Sequence, residues 1–453
     1  MPLQRKTLTG AALTAVLAVA ASGGAPILAP WEPYALGPEA CEENASCSRD
    51  PQGLVLVDVD GDDDLDVATA NSGSDDVTVF LNDGAGGLSV IATIAVAMEP
   101  GGIAAADFDG DGIADLAVAS AADSSVTVLL GDGTGDFAPA GDVAVGVFPV
   151  KVVAADFDGD GASDFATSDL FGDSVTVRLG DGDGAFAAPL TVSVPTGPSS
   201  LAVGDFNRDG TPDLVVTLEE EIPGAVAILL GNGAGGFDVQ VPTHAAGEAP
   251  LAVAVGDLDD DGADDLAVSN WADDTISVFF GNGDGTFEEG PVLDAGLVPE
   301  DVAIADLDGD GAADIVTLDG FGNESSDGLL VVIPGVGDGT FDRAVVFAVG
   351  AGPRAVVVGD LDRDGEPDVA TANSDSDDVA VVINQGGTAA DCAGDCDGNG
   401  AVSINELITG VNIALGLRPV ADCSAMDRDG GGSVSIADLI AAVNRALGGC
   451  GAI

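Results

Sequence analysis

Closely spaced carboxylates are the residues of this chain that could carry chemistry. The stretch DFDGDGIAD, Asp107 to Asp115, places aspartates at positions 1, 3, 5 and 9 and a glycine at position 6. Carboxylates this close repel one another and cannot be buried unpaired, which predicts a bound cation; the alternative is an Asp/Gly turn without a metal. Oxygens at positions 1, 3, 5 and 9, together with the backbone carbonyl of position 7, can converge on one ion. Because no histidine or cysteine lies among them, the set favours calcium over zinc or copper.

The pattern occurs seven times, at intervals of 49 to 54 residues, so we expect up to seven bound calcium ions. Loop 4 has Asn207 at position 3, and loop 1 has Asp63 where the turn glycine belongs, which predicts a strained or weaker loop 1. The predicted ligands, with the position-7 residue giving its carbonyl, are Asp58, Asp60, Asp62 and Asp66; Asp107, Asp109, Asp111, Ile113 and Asp115; Asp156, Asp158, Asp160, Ala162 and Asp164; Asp205, Asn207, Asp209, Thr211 and Asp213; Asp257, Asp259, Asp261, Ala263 and Asp265; Asp306, Asp308, Asp310, Ala312 and Asp314; and Asp360, Asp362, Asp364, Glu366 and Asp368.

Four short apolar segments surround each acidic loop in a fixed order. One run precedes the loop, a second follows it, an alternating run comes next, and a Gly-rich turn ending in an aromatic leads to the last. This layout predicts four strands joined as hairpins, and seven such units in series predict an all-β, seven-bladed β-propeller. The seventh repeat stops before its fourth strand, so we expect residues 31–36 to complete that blade and remove an exposed edge.

The repeats resemble FG-GAP/VCBS-type repeats, the bacterial relatives of the integrin α-subunit propeller. Two lines carry the resemblance over residues 51–388: SLAVGDFNRDGTPDLVV, from Ser199, and VLLGDGTGDF, from Val128 to Phe137. The resemblance implies calcium in the loops between the first two strands of each blade. It also implies a role in adhesion or extracellular binding, or as an accessory part of a secreted enzyme.

Two further acidic loops lie near the C-terminus, each running into an amphipathic helix. They begin at Asp395 and Asp427 and predict a small α-helical EF-hand pair with up to two more calcium ions. The expected ligands are Asp395, Asp397, Asn399, Ala401, Ser403 and Glu406, then Asp427, Asp429, Ser433, Ser435 and Asp438.

This duplicated loop-helix, residues 389–453, resembles dockerin, which implies a cohesin-type partner on a scaffold. The partner-choosing positions 10 and 11 hold Ile404, Asn405, Ile436 and Ala437 instead of the Ser-Thr pair of the best-known type. A disulfide-stabilised calcium cap of a secreted protein is the alternative, because Cys392, Cys396, Cys423 and Cys450 lie in or beside the module.

The N-terminal sequence and the cysteines predict export, and the net charge argues against nucleic acid as a partner. Residues 1–25 read as a signal peptide, with Arg5 and Lys6 before an apolar run, and residues 26–50 hold Cys41 and Cys47, a candidate disulfide. No later run is long enough for a membrane span. The net charge of −66 argues against nucleic acid as a partner. We therefore expect a secreted or cell-surface protein.

Catalytic residues are scarce, which favours a binding protein over an enzyme. The chain has one histidine, His244, and one lysine, Lys151, after the predicted signal peptide. Phe171, Trp271 and Phe321 lie in the predicted turns opposite the acidic loops, where they are candidates for recognising an extracellular protein or polysaccharide. The alternative is that these rings fold back on their own blades. The alternative is an accessory or catalytic part of an extracellular polysaccharide-degrading system.

Overall fold

The computed structural model describes residues 26, 28–36, 49–240, 243–320, 328–385, 409, 411–414, 418 and 423. The chain divides into two units, Ala25–Gly387 and a second made of Met1–Gly24 with Thr388–Ile453. In the second unit, residues 411–414 are helical, and Cys423 is buried and disulfide-bonded. The predicted signal peptide, the Cys41–Cys47 pair and the two C-terminal calcium loops lie outside the described residues.

The first unit consists of strands grouped into sheets, and the described residues form seven sheets. We call the sheets blades 1 to 7 in the order of their first strands. An N-terminal strand, β1 (Glu32–Ala35), belongs to blade 7. The strands of blades 1 to 3 are β2 (Pro51–Val57), β3 (Asp66–Asn71), β4 (Asp76–Asn82) and β5 (Leu88–Ala95); β6 (Pro100–Ala106), β7 (Asp115–Ser120), β8 (Ser125–Gly131) and β9 (Phe137–Ala144); and β10 (Pro149–Ala155), β11 (Asp164–Asp169), β12 (Ser174–Arg178) and β13 (Leu190–Ser193).

The remaining blades follow the same antiparallel order. They comprise β14 (Pro198–Gly204), β15 (Asp213–Leu218), β16 (Ala225–Gly231), β17 (Phe237–Val239) and β18 (His244–Ala245); β19 (Pro250–Gly256), β20 (Asp265–Asn270), β21 (Thr275–Gly281) and β22 (Phe287–Asp294); β23 (Pro299–Ala305), β24 (Asp314–Asp319), β25 (Leu329–Ile333) and β26 (Val345–Ala348); and β27 (Pro353–Gly359), β28 (Asp368–Asn373) and β29 (Asp378–Val382), with β1. In blade 4 the outer position is split between β17 and β18, which both pair with β16.

The seven sheets form a closed ring whose inner wall is the first strand of each blade. Strand β2 of blade 1 contacts both β6 of blade 2 and β27 of blade 7. These inner strands are rich in alanine, valine and glycine, because blades crowd together near the axis. Second strands such as β7 are buried along their whole length, since each sheet packs between two others. The expected seven-bladed propeller of four-stranded blades is therefore present in the described residues.

The hydrophobic core lies between blades. Seven clusters of buried side chains occur in the described residues, and each joins two neighbouring blades. One cluster, for example, joins Phe108 of blade 2 to Val152 and Phe165 of blade 3. A single blade therefore has little core of its own, and its stability depends on how firmly it is held against its neighbours.

Ring closure uses the N-terminal segment. Strand β1 pairs antiparallel with β29, with Tyr34 opposite Val379, and so supplies the fourth strand of blade 7. The Tyr34 hydroxyl donates to the Gly86 carbonyl of blade 1 at 3.1 Å. Leu36, only 2% exposed, packs into the cluster between blades 7 and 1. The Asp50 amide donates to Asp377 Oδ1 at 3.0 Å, a second bond across the same junction.

No helix in the described part of the chain is long and apolar enough to cross a membrane.

If β1 stabilises the ring, replacing Leu36 with alanine should lower the free energy of unfolding by about 2–5 kcal/mol, the usual cost of removing a buried leucine side chain. Urea unfolding in the presence of calcium would measure this change.

Glu32→Ala is the matched control, because Glu32 lies in β1, in the same N-terminal segment as Leu36, but is exposed, and it should change the free energy by less than about 0.5 kcal/mol. Equal, small effects of both substitutions would show that β1 does not close the ring.

Candidate metal centres

Acidic loops 1 to 7 connect the first and second strands of their blades, as the resemblance implies. Loop 2, for example, begins after β6 ends at Ala106, and its position-9 residue Asp115 is the first residue of β7. Because the strands are antiparallel, these loops share one end of the ring with the turns between third and fourth strands. We call this end the loop face. The turns between second and third strands and the connections between blades form the opposite end, the connector face.

The aspartate at position 9 ties three parts of the blade together. In loop 2, Asp115 accepts hydrogen bonds from the amides of Phe108, at position 2, and Gly131, at the end of the third strand, both at 2.8 Å. The equivalent residue accepts both bonds in every loop of the described chain, at 2.6–3.0 Å. These aspartates are at most 1% exposed: Asp66, Asp115, Asp164, Asp213, Asp265, Asp314 and Asp368.

The other acidic positions wrap the loop backbone around their own carboxylates. In loop 2, Asp107 accepts from the amides of Gly110 and Gly112 at 2.7 and 2.9 Å. Asp111 Oδ1 accepts from the Ile113 amide at 2.8 Å. Such side-chain to backbone bonds favour turns over regular structure, so the sequence itself bends the loop inward.

Two positions in each loop have a left-handed backbone, whereas the sequence predicted one. At position 6 the φ angle runs from +68° at Asp63, in loop 1, to +94° at Gly311. At position 4 it runs from +55° at Arg208 to +79° at Gly61. Left-handed geometry favours glycine, and aspartate adopts it more readily than most other residues. Loop 1 therefore has the expected turn at a conformational cost that the glycine-bearing loops avoid.

The residue at position 2 anchors each loop to the next blade. Its side chain is at most 1% exposed in every loop: Val59, Phe108, Phe157, Phe206, Leu258, Leu307 and Leu361. Its carbonyl accepts from the following blade in several junctions, as where Phe108 accepts from the Gly184 amide at 3.1 Å. The sequence signal was available, since this position is always apolar and lies between two acidic residues, or between Asp205 and Asn207 in loop 4. The candidate metal centres therefore lie at the blade junctions.

The carboxylates converge as a cation site requires. In loops 1, 2, 3, 5 and 6, three of the predicted ligands offer oxygens within 4.8 Å of one another. Two unit negative charges at that distance repel by about 3–4 kcal/mol at an effective dielectric constant of about 20. Among the described residues, Asp60 Oδ1 and Asp308 Oδ2 are buried and have no hydrogen-bond partner. Such oxygens, in an all-oxygen donor set, fit a hard divalent cation such as calcium.

Burial shapes the acid–base behaviour of these loops. It raises the pKa of Asp66, Asp164, Asp265, Asp314 and Asp368 to about 6, although two amide hydrogen bonds favour each charged form. Burial, with the nearby charge of Asp314, raises the pKa of Asp308 to about 7. Without a cation, these groups therefore retain protons at mildly acidic pH.

The connector face presents a different kind of surface. Phe171 is 59% exposed and packs against Phe148, with 4.6 Å between the centres of the two tilted rings. Trp271 is only partly exposed and lies beside Glu300. Phe321 lies outside the described residues. Of the three aromatic side chains predicted for recognition, only Phe171 is thus seen projecting from this face.

Several carboxylates on the connector face hold the blade connections, a role that the sequence did not reveal. Asp274, in blade 5, accepts from the Val298 amide at 3.0 Å, just before the first strand of blade 6. Asp75 and Asp173 make the same contact with Glu99 and Gly197 at 2.9 and 3.3 Å. The residue before the first-strand proline is left-handed in every blade: Asp50, Glu99, Phe148, Gly197, Ala249, Val298 and Gly352.

His244 lies away from the acidic loops. It packs against the rings of Phe279 and Phe287, with ring centres 6.0 and 5.7 Å apart, and burial lowers its pKa. It therefore helps to fill the junction between blades 4 and 5.

Comparisons with known proteins agree with this architecture. The family described as FG-GAP-like repeat matches residues 58–118, 107–167, 156–216 and 259–317. No curated protein matches the sequence.

Solved structures resemble the chain at low identity. BBS1N in complex with ARL6DN has a TM-score of 0.55 at 12% identity, covering 79% of this chain and 97% of that one. A Lactobacillus plantarum protein has a TM-score of 0.50 at 13%, covering 73% and 91%. An Agrocybe aegerita lectin that recognises non-reducing terminal N-acetylglucosamine has a TM-score of 0.47 at 22%, covering 66% and 80%. At these identities the likeness concerns the fold.

A Cβ added at Gly112 would meet no atom within 4 Å, so only the left-handed backbone disfavours another residue at this position. Gly112→Ala should therefore lower the free energy of unfolding by about 1–2 kcal/mol. Thermal melting in calcium would measure the loss.

The control is Gly101→Ala, in β6, where φ is not left-handed and the new Cβ would lie 3.5 Å from the Val150 carbonyl. It should leave stability unchanged or raise it. A loss as large as that of Gly112→Ala would contradict the backbone explanation.

The raised pKa values predict opposite pH responses with and without calcium. In EGTA, the folded protein binds more protons than the unfolded chain between the unfolded pKa, near 4, and the folded pKa, near 6. Its free energy of unfolding therefore falls as pH rises through that window. Calcium would bind the ionised carboxylates, so the stabilisation that calcium adds should grow over the same range.

Melting temperatures at pH 5 and 7.5, each in EGTA and in excess calcium, test this. A difference of a few kcal/mol in the stabilisation that calcium adds would make the calcium-induced rise in melting temperature about 5–10 °C larger at pH 7.5 than at pH 5. Equal shifts at both pH values would refute the coupling between protons and calcium.

Proposed function

We propose that this chain, whose FG-GAP-like repeats form a seven-bladed β-propeller, is an exported, non-catalytic adhesion or recognition protein. Calcium in the acidic loops stabilises the ring, and the connector face binds an extracellular protein or polysaccharide. The observation that carries the proposal is the contrast between the two faces. One concentrates converging carboxylates, and the other exposes apolar side chains on loops held by a rigid scaffold.

Calcium has a structural role on this proposal because of where the loops lie. Position 9 binds the loop to the third strand of its own blade, and position 2 binds it to the next blade. The position-9 carboxylate also accepts from the position-2 amide, so an ion held by position 9 fixes the residue that contacts the next blade. The ion therefore stabilises the junction between two blades, which is where the hydrophobic core lies. Because the unfolded chain lacks the site, binding energy adds to folding energy, by about 2.7 kcal/mol per site at a calcium concentration 100 times the Kd.

Exposed apolar side chains support recognition by the connector face. Met98, Val147, Phe171, Ile222 and Leu297 are 44–92% exposed and lie in its turns and connections. Part of the set is contiguous in space. The Met98 amide donates to Asp123 at 2.8 Å, and the next residue, Ser124, accepts from the Phe148 amide. The Phe148 ring in turn packs against Phe171. Exposed aromatic and aliphatic groups on rigidly held loops are typical of binding sites.

Chemistry outside the ring supports export. Cys423 is disulfide-bonded, and disulfides persist chiefly in oxidising compartments outside the cytosol. The net charge of −66 disfavours nucleic acid and anionic membranes as partners. Extracellular proteins and polysaccharides are the remaining large classes of ligand.

The first prediction from the proposal concerns calcium. The purified, exported protein should bind about one calcium ion per acidic loop, and EGTA should lower its melting temperature.

The second prediction concerns ligand binding. In calcium the protein should be retained on an array of glycans, polysaccharides and extracellular-matrix proteins without converting them. Phe148→Ser with Phe171→Ser should reduce retention at least tenfold, since buried aromatic contacts contribute a few kcal/mol at binding sites.

The control is Val292→Ser, which removes a 67% exposed apolar side chain from the outer strand β22. It should not change retention. Turnover of a glycan by the purified protein would contradict the non-catalytic role. Retention that survives loss of both phenylalanines in a folded protein would exclude this part of the connector face.

A further inference from the structure

Position 4 of the acidic loops differs between blades in a way that alters the charge of the neighbouring loop. The residue is glycine in loops 1, 2, 3 and 6, aspartate in loop 5, and arginine in loops 4 and 7. All seven have a left-handed backbone, which glycine adopts most readily. Arg208 and Arg363 therefore adopt a conformation that favours glycine, so their side chains require an explanation.

Arg208 of loop 4 reaches the next metal loop. Its guanidinium Nη2 lies 3.3 Å from the carbonyl oxygen and 3.4 Å from the Oδ1 of Asp261, at position 5 of loop 5. Its side chain crosses the turn between the third and fourth strands of blade 5, where a Cβ on Gly283 would lie 2.8 Å from Arg208 Nε. The arginine thus contacts a predicted calcium ligand of the following blade.

Arg363 of loop 7 does the same across the junction that closes the ring. It donates to the carbonyl of Asp62, at position 5 of loop 1, at 2.5 Å. It also forms an ion pair with Asp64, at position 7 of loop 1, whose side chain is 7% exposed. In loop 1 the guanidinium therefore pairs with a nearly buried carboxylate as well as with the loop backbone.

Other junctions lack this arrangement. At position 4 of loop 2, a Cβ on Gly110 would lie 2.8 Å from the Gly182 carbonyl of blade 3, so a side chain there meets backbone. At the junction of blades 5 and 6, Asp260 approaches Gly337 with a carboxylate instead. Arginine at this position thus distinguishes two junctions from the others in the described ring.

We propose that Arg208 and Arg363 are permanent counter-charges for loops 5 and 1. Each stabilises the neighbouring acidic loop when calcium is absent and weakens calcium binding to that loop when calcium is present. The ring would then contain two classes of site, with loops 1 and 5 forming the weaker class. This inference rests on calcium binding by the acidic loops, as proposed above.

Electrostatics gives both effects the same cause. A guanidinium beside a carboxylate cluster lowers the repulsion within that cluster, so the loop keeps its shape without an ion. The same positive charge repels a divalent cation several ångströms away. Both arginines are about half exposed, so solvent and salt screen the repulsion, and we expect a three- to tenfold reduction in affinity.

The test variant is Arg208→Gly with Arg363→Gly in the full chain. Glycine suits the backbone at position 4, so a loss of stability cannot arise from strain there. In EGTA the melting temperature should fall below that of the native protein, whereas in saturating calcium the fall should be smaller. In a calcium titration against a competing chelator, the two weakest sites of the native protein should tighten three- to tenfold.

Arg354→Gln is the matched control. Arg354 also spans two blades, pairing with Glu300 at 2.6 Å, but it does so on the connector face. Its loss should lower the melting temperature equally in EGTA and calcium and leave calcium affinities unchanged.

Two outcomes would overturn the inference: unchanged affinities in the double glycine variant, or equal stability losses in EGTA and in calcium. A native protein that binds no calcium would instead refute the proposed function.

Discussion

The buried aspartate at position 9 is the residue on which each repeat depends. Its two oxygens accept amide hydrogen bonds from the acidic loop and from the end of the third strand, as Asp115 does from Phe108 and Gly131. A neutral amide side chain could not accept both bonds, because its nitrogen only donates. The carboxylate is therefore required, and its buried charge lies near two or three others. A bound cation would let the hydrogen bonds and the charge persist together.

This requirement has consequences for the whole ring because the core lies between blades. The position-2 side chain that follows the first aspartate is buried in a junction, and its carbonyl can pair with the next blade. A loop distorted by carboxylate repulsion would therefore loosen two blades at once. Closure by β1 matters for the same reason, since an open ring would lack one of its seven junction clusters.

The sequence predicted much of this arrangement and missed the rest for identifiable reasons. The spacing of repeats and the alternating apolar runs were enough for the strand order, the loop positions and the closing strand, because these depend on local pattern. The reach of Arg363 to Asp64 was not predictable, since 299 residues separate the two and only ring closure brings them together. The left-handed backbone at position 4 was also hidden, because arginine and aspartate occupy it in three loops.

The acidic composition follows from the same chemistry. Beyond the acidic loops, Asp75, Asp173, Asp274 and Asp377 accept amide hydrogen bonds that fix the blade connections on the opposite face. Aspartate thus serves as a backbone acceptor at both ends of the strands, and the two ends differ in what can neutralise it. Calcium would neutralise the loop face, whereas the connector face keeps its charge beside Met98, Val147 and Phe171. On the proposed function, a ligand of that face must therefore combine apolar contact with hydrogen-bond donors or positive charge.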